Sequence, residues 1–195
     1  MDSELKESRL LYKSPYLELY EDILKIQRGK KDRNQESLLA NNNNNNSVKI
    51  FQRIRTTHDN TAIIPIFPDG SFLMVEIYRY GIDKVLLEFP GGTIEESEEP
   101  IKTARKELLE ETGYDSKILE YKGWFYTWPS KMNQKTHVFL AKGLEKTKEQ
   151  NLEETEEIKV KRISKHELFA RLKSQEIKTA GAISAFFYGY ILDTM

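Results

Sequence analysis

The chain has 195 residues, enough for one domain with a real core or one domain with a small extension. Lys and Arg number 30 against 31 Asp and Glu, so no bulk positive field points to nucleic acid or to an anionic membrane surface. Cysteine is absent, which removes disulfides, thiolate zinc sites and cysteine nucleophiles; with no run of signal-peptide or membrane-span type, the expectation is a soluble cytoplasmic protein.

Residues 8 to 27 are rich in Leu, Ile and Tyr and predict short strands with a turn near Ser14 and Pro15. Residues 28 to 47 are basic and polar and end in the run Asn41 to Asn46. Such a stretch has nothing to bury and predicts a disordered loop, a sticky polar tract being the alternative. It interrupts a hairpin, because Val48 to Arg55 resumes an alternating strand pattern. Residues 1–57 therefore read as a small N-terminal β extension and 58–195 as the main domain.

In that domain Ala62 to Phe67 predicts a buried strand, Pro68, Asp69 and Gly70 a hairpin turn, and Ser71 to Tyr80 the returning strand. Val85 to Phe89 predicts another strand, ended by Pro90, Gly91 and Gly92. A helix follows: Pro100 suits its first turn, Ser97 is the candidate cap, and Glu98 and Glu99 favour its positive end. Ile101, Ala104 and Leu108 form the predicted buried stripe, and Gly113 supplies a left-handed stop. Apolar segments at Ile118 to Phe125 and Thr136 to Ala141 precede a charged loop from Lys142 to Glu157 and a strand near Ile158 to Ile163. Ser164 caps a helix running to about Ser174, and Thr179 begins a last one. This alternation predicts a mixed sheet with helices on both faces.

The helix ending at Gly113 carries Glu107, Glu110 and Glu111 in its last turns, where the helix dipole is negative. Lys106 stands four positions before Glu110 and is an ordinary partner for it. The positions one turn before Glu107 are Thr103 and Ala104, and those before Glu111 are Glu107 and Leu108. Glu107 and Glu111 thus repel each other at i,i+4 with no basic residue one turn before either, and a divalent cation would relieve that repulsion. The bland alternative is a solvated acidic face. Two glycines just upstream let backbone approach a ligand closely. The three histidines, His58, His137 and His166, show no paired metal spacing and read as structural, and no G-x-S-x-G elbow occurs.

Residues 92 to 114 resemble the Nudix box, G-x5-E-x7-R-E-U-x-E-E-x-G-U with U bulky and apolar. Gly92, Glu98, Glu107, Leu108, Glu110, Glu111 and Gly113 fall on its fixed positions. Lys106 stands where the family has Arg, and Lys cannot make the forked ion pair that ties the box glutamates together there. Tyr114 replaces a bulky aliphatic residue. From about Thr61 onward the chain is most similar to the ADP-ribose pyrophosphatase branch. The resemblance implies an α/β fold, a Nudix-type α/β/α sandwich with a mixed sheet.

It also implies hydrolysis of the diphosphate bond of a nucleoside diphosphate sugar, ADP-ribose to AMP and ribose 5-phosphate first among them. Mg2+ is the implied cofactor, with Mn2+ as a substitute, held by Glu107, Glu111, Glu110 and the Gly91 carbonyl. Glu110 alternatively orders the water network. Arg79, at the end of a strand beside the glycine turn, is a candidate to grip the diphosphate, against a surface ion pair with Glu76, Asp83 or Glu88. Pro129 matches a proline of the branch, and Trp128 beside it is a candidate to stack on base or ribose; for Phe125 the reading is core packing. In the loop NLEETEEIKV, Glu154 aligns with the branch's water-activating glutamate, with Glu153, Glu156 and Glu157 as neighbours and a solvated acidic loop as the alternative. Partners implied are a small-molecule substrate and a second copy of the chain, with no nucleic acid and no membrane. The competing reading is a Nudix-fold sensor that binds a nucleotide derivative without cleaving it, or the same hydrolysis on another sugar nucleotide or a dinucleotide.

Overall fold

The computed structural model describes residues 2–27, 46–152 and 157–195. They divide into two compact units, the described residues of Met1–Thr57 with Trp128–Asn133, and His58–Thr127 with Gln134–Met195. Among the described residues no helix is long and apolar enough to cross a membrane.

The first unit is an antiparallel sheet of β1 (Asp2–Lys13), β2 (Leu17–Gln27) and β3 (Asn46–Thr56) in that order. The turn expected near Ser14 is present, with Ser14 N–H donating to Leu17 O at 2.9 Å. β2 and β3 pair in unbroken register from Leu17↔Thr56 to Gln27↔Asn46, the interrupted hairpin anticipated above. The stretch expected to be disordered lies almost wholly outside the described residues. Asp22 is buried at the centre of this sheet. Burial alone would raise its pKa, but hydrogen bonds from Ser8 and Arg53 outweigh it and hold the carboxyl below its ordinary value.

The second unit holds two three-stranded sheets. One runs β4 (Asn60–Pro65), β8 (Lys135–Lys146), β7 (Tyr114–Tyr126), with β4 parallel and β7 antiparallel to β8. The other runs β6 (Lys84–Glu88), β5 (Phe72–Arg79), β9 (Ile158–Ile163). Alternate residues of β8 serve two cores. Phe139 and Ala141 pack with Ile63 and with Ala104 and Leu108 of α1 (Pro100–Thr112). Val138 and Leu140 pack with Ala182, Ala185 and Phe186 of α3 (Ala180–Phe186). The unit is therefore layered α/β/α around a mixed sheet, as the resemblance implied.

α2 (Lys165–Lys173) begins as read, with Ser164 accepting from Glu167 N–H at 3.1 Å. After α3 the chain continues as a π-helical stretch, Phe187–Ile191, where Gly189 passes so close to Ile64 that a Cβ there would meet its Cγ1 at 2.5 Å. Tyr190 and Phe186 then close an aromatic cluster around Phe72, with centroids 5.0 and 5.5 Å from it.

Four local expectations are corrected. The turn after Phe67 forms, with Gly70 N–H donating to Phe67 O at 2.9 Å, but β4 and β5 are not a hairpin: beyond the single bridge Ile66↔Phe72 they lie in different sheets. The nearly continuous apolar run of β4 suits a parallel pairing buried on both sides, which β8 provides. The charged loop expected from Lys142 begins later, because β8 continues to Lys146. Ser97 is not the cap of α1. It takes φ 66°, and Glu99 is the capping position, without a side-chain bond. Ile101 is 43% exposed, since α1 meets the sheet only from its second turn; Thr103, Ala104, Leu108, Glu111 and Thr112 are the buried positions.

Candidate active site at the glycine turn

β6 runs into Pro90, Gly91 and Gly92, and this turn is fastened along β4: Ile63 N–H donates to Pro90 O and Thr61 N–H to Gly92 O, both at 2.8 Å. The carbonyls of Pro90 and Gly92 are thus both taken up by β4. Both glycines are dictated by space. A Cβ at Gly91 would collide with the backbone oxygen of Thr61. A Cβ at Gly92 would collide with the carboxylate of Glu107. The turn therefore lies directly against the carboxylates of α1. Glu111 is 4% exposed, and its Oε2 accepts from Gly91 N–H at 2.9 Å. Glu110 sits further out, with Lys106 Nζ at 3.8 Å, the partner read from the spacing. Arg105 points elsewhere, to Asp115 at 2.5 Å and to Ser116 O at 2.8 Å.

The end of α1 carries acids where its dipole is negative, and the chain answers this with donors. Gly113, at φ 76°, donates its N–H to Leu109 O at 2.9 Å. The segment after β8 then caps the remaining carbonyls: Thr147 and Lys148 N–H donate to Gly113 O, and Asn151 N–H to Glu110 O at 2.9 Å. Gln150 Nε2 donates to Glu111 O at 2.6 Å and also reaches Ile158 O at 3.3 Å, tying the carboxylate helix to the start of β9. These donors offset the negative helix end. Sequence reasoning missed Gln150 and Asn151. Their only signal was an amide pair placed before the acidic loop.

Arg79 ends β5 and pairs with Glu88 on β6 at 2.7 Å, one of the partners foreseen for it. Both line a cavity of about 260 Å3 that also reaches Gly91 and Gly92. Arg79, Gly91, Glu107, Glu110 and Glu111 thus belong to one unit and one neighbourhood. Trp128 and Pro129 belong to the other unit, where Trp128 O accepts from Lys131 and Met132 N–H in a turn. Phe125 packs against the α3-side core and stacks on Tyr188 at 6.2 Å, as read. Glu154 lies outside the described residues, as do Glu153 and Glu156. His137 contacts the Tyr121 hydroxyl at 3.1 Å and Asp59 at 3.6 Å, a structural role within the β7–β8 layer.

The donor set suits a hard divalent cation. Carboxylate oxygens crowd a turn whose glycines leave no Cβ between backbone and ligand. Among the described residues no three Asp, Glu or His side chains form a preformed cage. A magnesium ion does not require one, since it is usually held by one or two carboxylates, retained waters and substrate phosphates.

A model of the NUDIX domain matches residues 56–183. Over 126 residues, 63% of this chain and 68% of the relative, the sequence is 36% identical to ADP-ribose pyrophosphatase of Bacillus subtilis (strain 168). It is 33% identical over 128 residues, 65% and 69% of the two chains, to methanol dehydrogenase activator of Bacillus methanolicus. It is 32% identical over 96 residues to ADP-sugar pyrophosphatase of Mus musculus, 47% of this chain and 44% of that one. A crystal structure of an ADP compounds hydrolase superposes with a TM-score of 0.78 over 96% of this chain and 92% of that one, at 19% identity, a likeness of fold.

Proposed function

The chain belongs to the NUDIX family of hydrolases, and from that premise we propose that it hydrolyses the diphosphate bond of nucleoside diphosphate sugars, ADP-ribose to AMP and ribose 5-phosphate foremost. The observation that carries this reading is the glycine turn pressed against Glu107 and Glu111. Two relatives named for pyrophosphatase action on ADP-ribose or ADP-sugars support it.

Hydrolases of the family generally use a divalent metal. We assign Mg2+, with Mn2+ as a substitute, to Glu107, Glu111 and the Gly91 carbonyl, with Glu110 sharing the site or ordering its water. When bound, such a cation neutralises charge on the diphosphate oxygens and acidifies an attacking water. The chain's own residues do the rest. Gly91 N–H holds the Glu111 carboxylate in one orientation, and Gly92 gives the Glu107 carboxylate its place. Arg79 offers a planar fork to the diphosphate, with Glu88 fixing that fork at the mouth of the cavity. Glu154 accepts the proton of the attacking water, an assignment that stands on the resemblance of its loop and is checked by comparing Glu154→Gln with Glu153→Gln and Glu156→Gln. Trp128 and Pro129 are assigned to the nucleoside end on the same ground.

Incubation of the purified protein with Mg2+ and ADP-ribose, other sugar nucleotides, dinucleotides and nucleoside triphosphates, with product identification, tests the reading. AMP and ribose 5-phosphate from ADP-ribose are expected. Binding of the panel without cleavage of any member would overturn the enzyme in favour of a sensor. A homodimer and a cytoplasmic location complete the proposal, checked by light scattering and by fractionation.

A further inference from the structure

Residues 93–99, between the glycine turn and α1, hold their course with little regular structure. Thr93 makes one bridge to Asn60, and the buried Ile94 donates its N–H to Asp59 O at 2.9 Å. Ser97 then takes φ 66°, a left-handed conformation rare for side chains other than glycine, and Glu98 N–H donates to Glu95 O at 3.0 Å. Such strain persists only where surrounding contacts impose it. The start of α1 gives little help: its capping residue Glu99 makes no side-chain bond, and Ile101 in the first turn is exposed.

The second turn supplies a contact of that kind. Thr103 is 1% exposed, and its Oγ1 donates to Glu98 Oε2 at 2.8 Å. A threonine inside a helix commonly returns its hydroxyl to the carbonyl four residues back, as Thr112 does to Leu108 O in this same helix. Thr103 spends its hydroxyl on the loop instead, in a bond strengthened by the carboxylate's charge. Thr103, Glu107 and Glu111 stand four residues apart and so form one row along α1. The row starts at the bond to Glu98, passes Gly92 where the Glu107 carboxylate lies, and ends with Glu111 on Gly91 N–H. Both ends of the loop are thus fastened to one line of the helix.

We propose that Thr103 is a positioning residue for the metal site, its buried hydroxyl holding Glu98 and, through it, the loop that sets Glu107 and Glu111 against the glycine turn. The assignment rests on the metal reading given above and adds to it a group that acts only through another. Thr103→Val removes the hydroxyl at nearly constant shape, and Thr103→Ser keeps it. Glu98→Ala removes the acceptor from the half-buried side of the bond. Binding of Mn2+ is measured by its electron paramagnetic resonance signal on each folded protein, beside melting temperature and steady-state kinetics with ADP-ribose and Mg2+.

Thr103→Val is expected to weaken Mn2+ binding, and to raise the Mg2+ needed for half-maximal cleavage, by about tenfold, the scale on which loss of a group that orients metal ligands is felt. Glu98→Ala gives the same loss, and the double variant adds nothing to it, because one bond is removed from either side. KM for ADP-ribose at saturating Mg2+ stays within about twofold, since no substrate contact is lost. Thr103→Ser keeps the wild-type Mn2+ affinity. A lower melting temperature of Thr103→Val with unchanged Mn2+ affinity overturns the proposal, as do a Thr103→Ser that behaves like Thr103→Val and single losses that add in the double variant. Should Thr103→Val fail to fold, Glu98→Ala decides, and unchanged Mn2+ affinity there overturns the role. A wild type that binds Mn2+ but cleaves no nucleoside diphosphate sugar overturns the functional reading, while the Mn2+ titrations still decide the role of Thr103; a wild type that binds no Mn2+ overturns both.

Discussion

The turn before α1 and the start of α3 are built to opposite tolerances. On the α1 side Gly91 and Gly92 have no room for a single carbon, one being stopped by backbone and the other by a carboxylate. On the α3 side Gly181 borders open space. Glycine thus stands in two settings: contact so close that geometry is imposed, and a position where a side chain would meet nothing. The tight side holds the carboxylates of α1 against the turn, and the roomy side leaves space at the start of α3.

The comparison is tested most severely on the tight side. Glu111→Gln keeps an acceptor for Gly91 N–H but removes the charge, so it should retain the fold and lose more than about a hundredfold in metal-dependent turnover, beyond the effect of an outer-shell change. An active, folded variant would refute the ligand set. Gly92→Ala meets only the far end of a flexible side chain, so Glu107 yields and turnover falls by about a hundredfold with little change in melting temperature. Gly91→Ala meets the Thr61 backbone instead and should lower the melting temperature, a contrast that fails if both variants behave alike.

Gln150→Ala should cost about tenfold in kcat and raise the Mg2+ requirement, as loss of a group that orients ligands does; a Mg2+ titration separates this from simple unfolding. On the roomy side Gly181→Ala should stabilise the protein by about 0.4–1 kcal/mol in denaturant melts, because the added Cβ has space and the unfolded chain loses freedom. The smallest effect concerns pH. Lys142 first, then Lys122, holds Glu120 below its ordinary 4.5. A carboxylate with a folded pKa under its unfolded one contributes stability that is present above the unfolded value and lost as pH falls through the folded one. Lys142→Met should therefore flatten the acid arm of melting temperature against pH only slightly, the pair being partly exposed.

Much of the site was legible because its signals are local. The Lys106–Glu110 pair, the stop at Gly113, the cap at Ser164 and the strand at Ile158–Ile163 all follow from residues within a turn or two of one another. Ser97 and Ile101 misled because spacing alone cannot say at which turn a helix first meets its sheet. The supposed hairpin after Phe67 misled for a related reason: a turn signal reports a reversal of the chain and not the partner of either strand.

By itself the sequence determined the turn, the acidic helix, its spacing and hence the family, since these depend on backbone sterics and side-chain period. Tertiary structure decided what those pieces touch. Thr61 makes Gly91 necessary, Glu107 makes Gly92 necessary, and Gln150 closes the helix end from thirty-nine residues away. Such contacts arise only when distant segments share one volume, and excluded volume is not written in any local pattern.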